Sequence, residues 1–201
     1  NDGWIDLRTL TGGVTSTADA TINSLTVGKG ANSATGNTVL GESALDDSVT
    51  GTNNTAIGKN TLSALTSANT CTAVGSGALE ANTTGGNNVA VGADALDANT
   101  TGGNNVAIGK NALGANSTAG DNTAVGNGSL FANTTGTRNT AVGANALDAN
   151  TTANDNVAVG YNAGGANTSG ASNTFVGSET GEDTTTGNSN AAFGKRALYQ
   201  N

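Results

Sequence analysis

The side chains able to do chemistry in this chain are mainly carboxylates, because it contains 15 Asp and Glu, one Cys and no His. The residues that bind zinc or haem, or that form a nucleophile–histidine pair, are therefore almost absent from the chain. Carboxylates stacked on neighbouring repeats are the remaining candidates, either as calcium ligands or as an acid/base pair. They cluster at Glu80, Asp94, Asp97, Asp148 and the pairs Asp46-Asp47 and Glu182-Asp183.

The sequence around these carboxylates favours neither use. The glycine-rich aspartate repeat of calcium-binding β-rolls is missing, and a carboxylate pair needs a pocket, which a regular repeat without insertions does not provide. We therefore predict a solvated acidic face, with no catalytic residues, no metal ligands, no cofactor and no enzyme activity. The single cysteine, Cys71, is predicted to be a buried and unreactive thiol.

Charge and hydropathy exclude two further classes of partner. The net charge is −8, and the seven Lys and Arg are scattered along the chain, whereas nucleic acids and anionic membranes are bound by basic patches. No apolar run approaches the roughly 18–20 residues of a transmembrane helix. We expect no nucleic-acid partner and no membrane insertion.

The elements that position these side chains come from an internal repeat. Ten glycines, here called the anchor glycines, follow one another at intervals of 17 residues with no insertion or deletion: Gly41, Gly58, Gly75, Gly92, Gly109, Gly126, Gly143, Gly160, Gly177 and Gly194. Positions in a repeat are counted from this glycine. Such a register is typical of a β-solenoid, in which each coil stacks on the previous one at about 4.8 Å and an extra residue would misalign every ladder.

Apolar residues recur at two positions of the repeat. The residue at position −1 is always apolar and mostly β-branched, and we predict that it points into the core from a short strand, while the alanine at −2 points to the opposite face. Leucine at position +4 is the second expected core residue. The predicted core is Val74, Val91, Ile108, Val125, Val142, Leu79, Leu96, Leu113, Leu130 and Leu147.

Asparagine and glycine recur with the same period. The asparagines at position −4 either form a hydrogen-bonded amide ladder along the axis or bond the backbone of nearby turns, and both interpretations are structural. They are Asn54, Asn88, Asn105, Asn122, Asn139, Asn156 and Asn173. The anchor glycines are expected at a corner that needs a positive φ or a close backbone approach. The predicted corner glycines are Gly58, Gly75, Gly92, Gly109, Gly126, Gly143 and Gly160.

Leu, Ile, Val and Phe make up only 33 of 201 residues, about two bulky side chains per coil. The free energy gained by burying these side chains is small compared with the conformational entropy lost when a coil is ordered. Because small alanines on one face would let neighbouring chains approach closely, we predict a parallel homo-oligomer, most simply a trimer. Residues 1–27 are expected to be a non-repeat cap or connector, with residues 25–28 as a shortened first coil, and residues 28–201 to form about ten coils.

The unit N-T-A-V-G-x-x-A-L-x-A-N-T-T-G resembles repeats of known surface proteins. Segments such as Asn54–Gly58 and Asn105–Gly109 are similar to the coils of YadA-like trimeric autotransporter adhesin heads, and the longer unit resembles repeats in tail-fibre proteins of phages and large viruses. The resemblance covers residues 21–201 and implies a homotrimeric, left-handed β-roll-like solenoid on a virion or cell surface. The 17-residue coils are longer than those of autotransporter heads, which favours a fibre module.

Three functions remain open from the sequence. The leading hypothesis is a structural fibre or spacer module, a trimeric shaft in an extracellular or virion appendage. The first alternative is an adhesin or receptor-binding head that contacts host-surface glycans. The second is a subunit of a self-polymerising extracellular filament that assembles end to end, because residue 201 lies in the middle of a coil.

Overall fold

The computed structural model describes residues 20–22, 25–29, 34–47 and 49–199. In these ranges all regular secondary structure is β-strand, and the twelve strands form a single sheet in chain order. They are β1 (Ala20–Ile22), β2 (Leu25–Gly28), β3 (Thr38–Gly41), β4 (Thr55–Ile57), β5 (Thr72–Val74), β6 (Val89–Val91), β7 (Val106–Ile108), β8 (Thr123–Val125), β9 (Thr140–Val142), β10 (Val157–Val159), β11 (Thr174–Val176) and β12 (Ala191–Phe193).

Strands β3 to β12 each pair in parallel with the next strand of the chain. The register always joins residues 17 apart, so that Ala90 lies opposite Ala107 and Val91 opposite Ile108. The structure is therefore a parallel β-solenoid of about nine turns with 17-residue coils, and this part of the predicted fold class is confirmed.

The start of the sheet differs from the repeat. Strands β1 and β2 form an antiparallel hairpin, and β2 pairs antiparallel with β3, with Val27 opposite Leu40. The prediction of a shortened first coil is therefore wrong. The reversed strand supplies ladder partners to the edge of β3, which would otherwise present unpaired backbone groups. Most of the expected cap over residues 1–27 lies outside the described residues.

The anchor glycines stand at the corner that follows each strand. At Gly109, φ is 130°, a conformation that L side chains rarely adopt. A Cβ placed on this glycine would lie 2.5 Å from the carbonyl oxygen of Gly126 in the next coil. Both reasons expected for glycine at this position therefore apply, a positive φ and a close approach between coils.

Two residues of left-handed backbone follow each corner, at positions +2 and +4. The leucine at +4 is fully buried in the coils from Leu45 to Leu147 and adopts φ near 50°, which is uncommon for a residue with a side chain. Hydrogen bonds between coils hold this backbone; the Leu113 N–H, for example, donates to the Ser129 carbonyl at 3.0 Å. The predicted leucines Leu79, Leu96, Leu113, Leu130 and Leu147 all lie in the core.

Two coils replace this leucine by glycine, and the core compensates. Gly164 and Gly181 keep the left-handed conformation, with φ of 61° and 63°. Phe175, which stands where other strands have alanine, is fully buried, and a Cβ on Gly164 would lie 2.7 Å from its ring. The phenylalanine thus occupies the volume that the leucines vacate. Strand β11 stays in register with both neighbours, so no bulge forms.

Candidate functional site

The most distinctive surface of the molecule is the outer face of the sheet. Each three-residue strand turns its central side chain inward and its two flanking side chains outward, at positions −3 and −1. Among the described residues, these two positions hold no charged side chain in any coil from Thr38 to Phe193. Ile108 is 40% exposed and Val91 37% exposed, whereas Ala107 between the same two rows is fully buried.

This outer face corrects the predicted core. Val91, Ile108 and Val142 are exposed, and the two remaining predicted core residues at position −1, Val74 and Val125, are partly exposed. The alanine at −2 is the inward residue, as in Ala56, Ala73, Ala90, Ala107, Ala124, Ala141 and Ala158. The assignment of inside and outside along the strand was therefore reversed.

The width of the coil explains the reversal. The leucine at +4 projects into the same narrow interior that the strand faces, and the side chain opposite it at −2 is alanine in eight of the ten coils. The exception supports this explanation, because Phe175 is accommodated where both adjacent leucines are glycine. In the first coil a valine, Val39, is buried at −2, but β-branched side chains pointing inward in successive coils would overpack this space, which is destabilising.

The outer face is long and continuous. The row at −1 comprises Leu40, Ile57, Val74, Val91, Ile108, Val125, Val142, Val159, Val176 and Phe193, and Val27 of the hairpin lies beside Leu40. At about 4.8 Å per coil this row is roughly 43 Å long. Its residues are mostly β-branched and therefore have few rotamers. An ordered apolar surface of this extent is typical of an interaction site.

The asparagines at position −4 connect each coil to the next. Asn105 is fully buried; its Oδ1 accepts a hydrogen bond from the backbone N–H of Asn122 at 3.0 Å, and its Nδ2 donates to the Ala119 carbonyl at 2.9 Å. The same two contacts recur at Asn54, Asn88, Asn139 and Asn173. In each, Oδ1 accepts a hydrogen bond from the backbone N–H 17 residues later, and Nδ2 donates to the carbonyl 14 residues later. For Asn54, the N–H belongs to Cys71. This column is thus mainly a side chain-to-backbone ladder. The Nδ2 of Asn156 is buried without a partner.

A second asparagine column, at position +7, forms the amide-to-amide ladder. Asn116 Nδ2 donates to Asn99 Oδ1 at 3.0 Å, and Asn133 Nδ2 donates to Asn116 Oδ1 at 3.1 Å. The same Asn116 Nδ2 also donates to the Ala119 carbonyl at 3.0 Å, which therefore accepts from both columns. Asparagine recurs at position +7 in six consecutive coils, from Asn82 to Asn167, and this recurrence is the sequence signal for the ladder.

Cys71 interrupts the first column. It is fully buried, and burial raises the pKa of its thiol, as expected for an unreactive cysteine. Its Sγ contacts the Gly85 carbonyl at 3.3 Å, in place of an asparagine Nδ2. A thiol has no carboxamide oxygen, so the Oδ1 acceptor that other coils offer to the following N–H is missing here.

Charged side chains lie outside the two outer rows. In the part of the chain that the structure describes, ion pairs join residues of consecutive coils: Lys59 with Glu42 at 3.1 Å, Arg138 with Asp155 at 2.7 Å, and Arg196 with Glu179. Hydrogen bonding to Arg138 lowers the pKa of the Asp155 carboxyl. All three pairs are solvent-exposed, and such pairs contribute little to stability.

The clustered carboxylates between Asp46 and Asp183 form no closed site among the described residues. Burial, and then the nearby charge of Asp94, raises the pKa of the Asp97 carboxyl, and burial raises that of Asp148. Among the described residues, no group of three or more His, Cys, Asp or Glu side chains is arranged to hold a metal ion. In the same part of the chain, no helix is long and apolar enough to cross a membrane.

Comparison with known proteins adds no relative: no protein-family model, no curated protein and no solved structure matches the chain.

Proposed function

We propose that this protein is a structural fibre or spacer module, a rigid shaft of an extracellular or virion appendage that works as a homotrimer. The observation that carries this proposal is the uncharged outer face, which runs the length of the rod and is built from rigid β-branched side chains. The resemblance to trimeric surface fibres, with its implied left-handed coiling, points the same way.

Stiffness of the rod supports a mechanical role. Consecutive coils are joined at the strand, at both turns and through two asparagine columns, so bending would strain many hydrogen bonds at once. The coils hold one register from β3 to β12 without an insertion. Such a solenoid transmits force along its axis because each coil contacts only its neighbours.

The outer face supports assembly of identical chains. Its side chains are apolar or threonine, and their exposure in one chain leaves the protein with about one bulky core residue per coil, the leucine at +4. Burial of the outer rows against other copies would supply the missing apolar contacts. The prediction of an oligomer is thus retained, but through the valine and isoleucine rows in place of an alanine face. A closed trimer would cover this face in every chain.

Light scattering coupled to size-exclusion chromatography tests the assembly. We expect the mass of three chains for the full protein, and negative-stain electron microscopy should show short discrete rods. The double variant Val91→Lys/Ile108→Lys places charge on the outer face and should shift the mass to one chain. Thr101→Lys, an exposed residue outside the two rows, is the matched control and should leave the trimer intact. A monomeric wild-type protein would contradict the proposed assembly.

The two alternatives predict other outcomes of the same experiments. A filament subunit would form long polymers in micrographs, although at one end the edge of β3 is already paired with β2. A glycan-binding head would bind on a glycan array. Among the described residues, the exposed aromatics Phe131, Tyr161 and Phe193 stand at positions +5, +1 and −1, so they form no common stripe for a glycan.

A further inference from the structure

The second asparagine column coincides with a modification signal. Eight Asn-x-Ser/Thr sequons occur between residues 53 and 169. Six of them begin at position +7, at Asn82, Asn99, Asn116, Asn133, Asn150 and Asn167. The other two begin at Asn53 and Asn127 and are out of phase with this column. The repeat therefore presents the acceptor signal for N-linked glycosylation once per coil over most of the rod.

In the column asparagines from Asn99 to Asn167, Nδ2 donates two hydrogen bonds, and in Asn82 it donates one, to the Gly85 carbonyl. All are fully buried. Asn133 uses both Nδ2 hydrogens, donating to Asn116 Oδ1 at 3.1 Å and to the Gly136 carbonyl at 2.9 Å. The surroundings are close-packed as well, since even a methyl group placed on Gly102 would lie 2.5 Å from Asn99 Oδ1.

N-glycosylation changes this same atom. In the transfer, the sugar C1 of a lipid-diphosphate-linked oligosaccharide forms a bond to Nδ2, the C1–O bond to the diphosphate breaks, Nδ2 loses one proton and the lipid diphosphate leaves. The product has a single Nδ2 hydrogen and a bulky polar substituent. At the column asparagines from Asn99 to Asn167, one of the two Nδ2 hydrogen bonds is lost, and at all six the buried glycan has no path to solvent. Buried polar groups left without partners are costly.

The two remaining sequons lie in a different environment. Asn53 and Asn127 are both exposed. Each Nδ2 makes one long contact, to Thr52 Oγ1 at 3.4 Å and to the Lys110 carbonyl at 3.3 Å. A glycan on either residue projects into solvent and breaks no contact between buried groups.

We propose that folding and N-linked glycosylation are mutually exclusive at the six column asparagines, and that Asn53 and Asn127 are the positions at which the folded solenoid can carry an N-linked glycan. Transfer to the unfolded chain at any column asparagine traps it outside the native fold. The chain therefore folds efficiently only where oligosaccharide transfer does not reach it before the coils form.

The test is production of the full chain through the secretory pathway of mammalian cells, in parallel with production in the bacterial cytosol. Peptide mass spectrometry then gives glycan occupancy separately for the folded, protease-resistant fraction and for the aggregated fraction. We expect glycans at Asn53 and Asn127 in the folded fraction, and column glycans in the aggregated fraction only. A folded fraction that carries column glycans would overturn the proposal.

A matched pair of variants separates glycosylation from other causes of poor secretion. One variant removes only the exposed hydroxyl of each column sequon: Thr84→Ala, Thr101→Ala, Thr118→Ala, Thr135→Ala, Thr152→Ala and Ser169→Ala. Its bacterial product should melt as wild type does, and its secreted folded yield should rise by about tenfold. The control, Asn53→Gln with Asn127→Gln, keeps the column sequons and should show no gain. A tenfold rise in the control instead would also overturn the proposal.

Discussion

At the scale of single residues, buried asparagine side chains occupy interior positions that apolar side chains occupy in most proteins. Asn105 and Asn116 both donate to the Ala119 carbonyl, at 2.9 Å and 3.0 Å, so one carbonyl inside the turn is shared by two columns. A hydrogen-bonded buried polar group costs little, whereas one that has lost its partner is expensive. The stability of the interior therefore depends on these hydrogen bonds being formed in every coil.

The first prediction concerns the side chain-to-backbone column. Asn105→Ala removes the acceptor of the Asn122 N–H and a donor to the Ala119 carbonyl, leaving buried groups with fewer partners. We expect a loss of about 2–4 kcal/mol of stability, measured by urea denaturation. Asn127→Ala, at an exposed asparagine without left-handed backbone whose Nδ2 makes one long contact, is the control and should cost less than about 1 kcal/mol. Equal losses in the two variants would contradict the role of the column.

The second prediction concerns the one coil in which this column lacks asparagine. Cys71→Asn introduces an Oδ1 toward the Asn88 N–H and an Nδ2 toward the Gly85 carbonyl, the contacts that neighbouring coils make. We expect a gain of about 1 kcal/mol and a higher melting temperature by circular dichroism. Cys71→Ala should not be stabilising, because it supplies neither contact. A melting temperature of Cys71→Asn below that of wild type would show that this coil is built differently.

At the scale of the element, the coil is defined by backbone conformation as much as by side chains. Each coil combines a three-residue strand, a corner glycine and left-handed residues at +2 and +4. Leucine at +4 adopts an uncommon φ. This conformation is stabilised because the side chain fills the interior and the backbone N–H donates a hydrogen bond to the next coil. Local strain is thus balanced by contacts between coils.

The third prediction compares two glycine positions. Gly109→Ala places a Cβ against the Gly126 backbone at a φ of 130°, and we expect a loss of about 3 kcal/mol or more by thermal denaturation. Gly86→Ala is the control, because its φ is not positive, a Cβ there would lie 3.2 Å from the nearest atom, the Asn69 carbonyl oxygen, and the equivalent position at +11 holds Ala171 in another coil. It should cost less than about 1 kcal/mol. The reverse order of the two losses would contradict the corner assignment.

The fourth prediction exchanges one way of filling the core for the other. Phe175→Ala alone should leave a cavity and cost about 3–5 kcal/mol, measured by urea denaturation. Adding Gly164→Leu and Gly181→Leu restores the pattern of the other coils, and we expect most of the loss to be recovered. Absence of recovery in the triple variant would mean that the ring and the leucines do not share one volume.

At the scale of the whole molecule, the pH dependence of stability follows from its carboxylates, since the chain has no histidine. Burial raises the pKa values of Asp97 and Asp148 above the ordinary value of an aspartate, so the folded state holds protons that the unfolded state releases. Their effect is to increase stability as the pH falls through the raised values toward about 3.8. Asp155 acts oppositely, since its pKa is lowered, but its side chain is exposed and its effect is screened.

The fifth prediction tests this pH dependence. The melting temperature of wild type should rise as the pH is lowered from 7 toward 4.5. Asp97→Asn removes one desolvated charge, so it should raise the melting temperature at pH 7 by a modest amount and make the slope shallower. Asp155→Asn, at an exposed carboxylate whose pKa is lowered, is the control and should not make the slope shallower. A melting temperature that falls steadily on acidification would contradict the prediction.

The sequence by itself determined the parallel solenoid, the coil length and the corner glycines, because a strict 17-residue period can be met only by stacking equivalent residues. It did not determine which side of the strand is inside. The alternation of Val, Ala and Val is compatible with either side of the strand facing the core. Which side faces the core depends on how much of the interior the leucine at +4 occupies. The antiparallel pairing of β2 was also undetermined, since L-T-V-G has the same local pattern as a coil strand. Only the tertiary structure decided these points, because they depend on volume and pairing between segments distant in the chain.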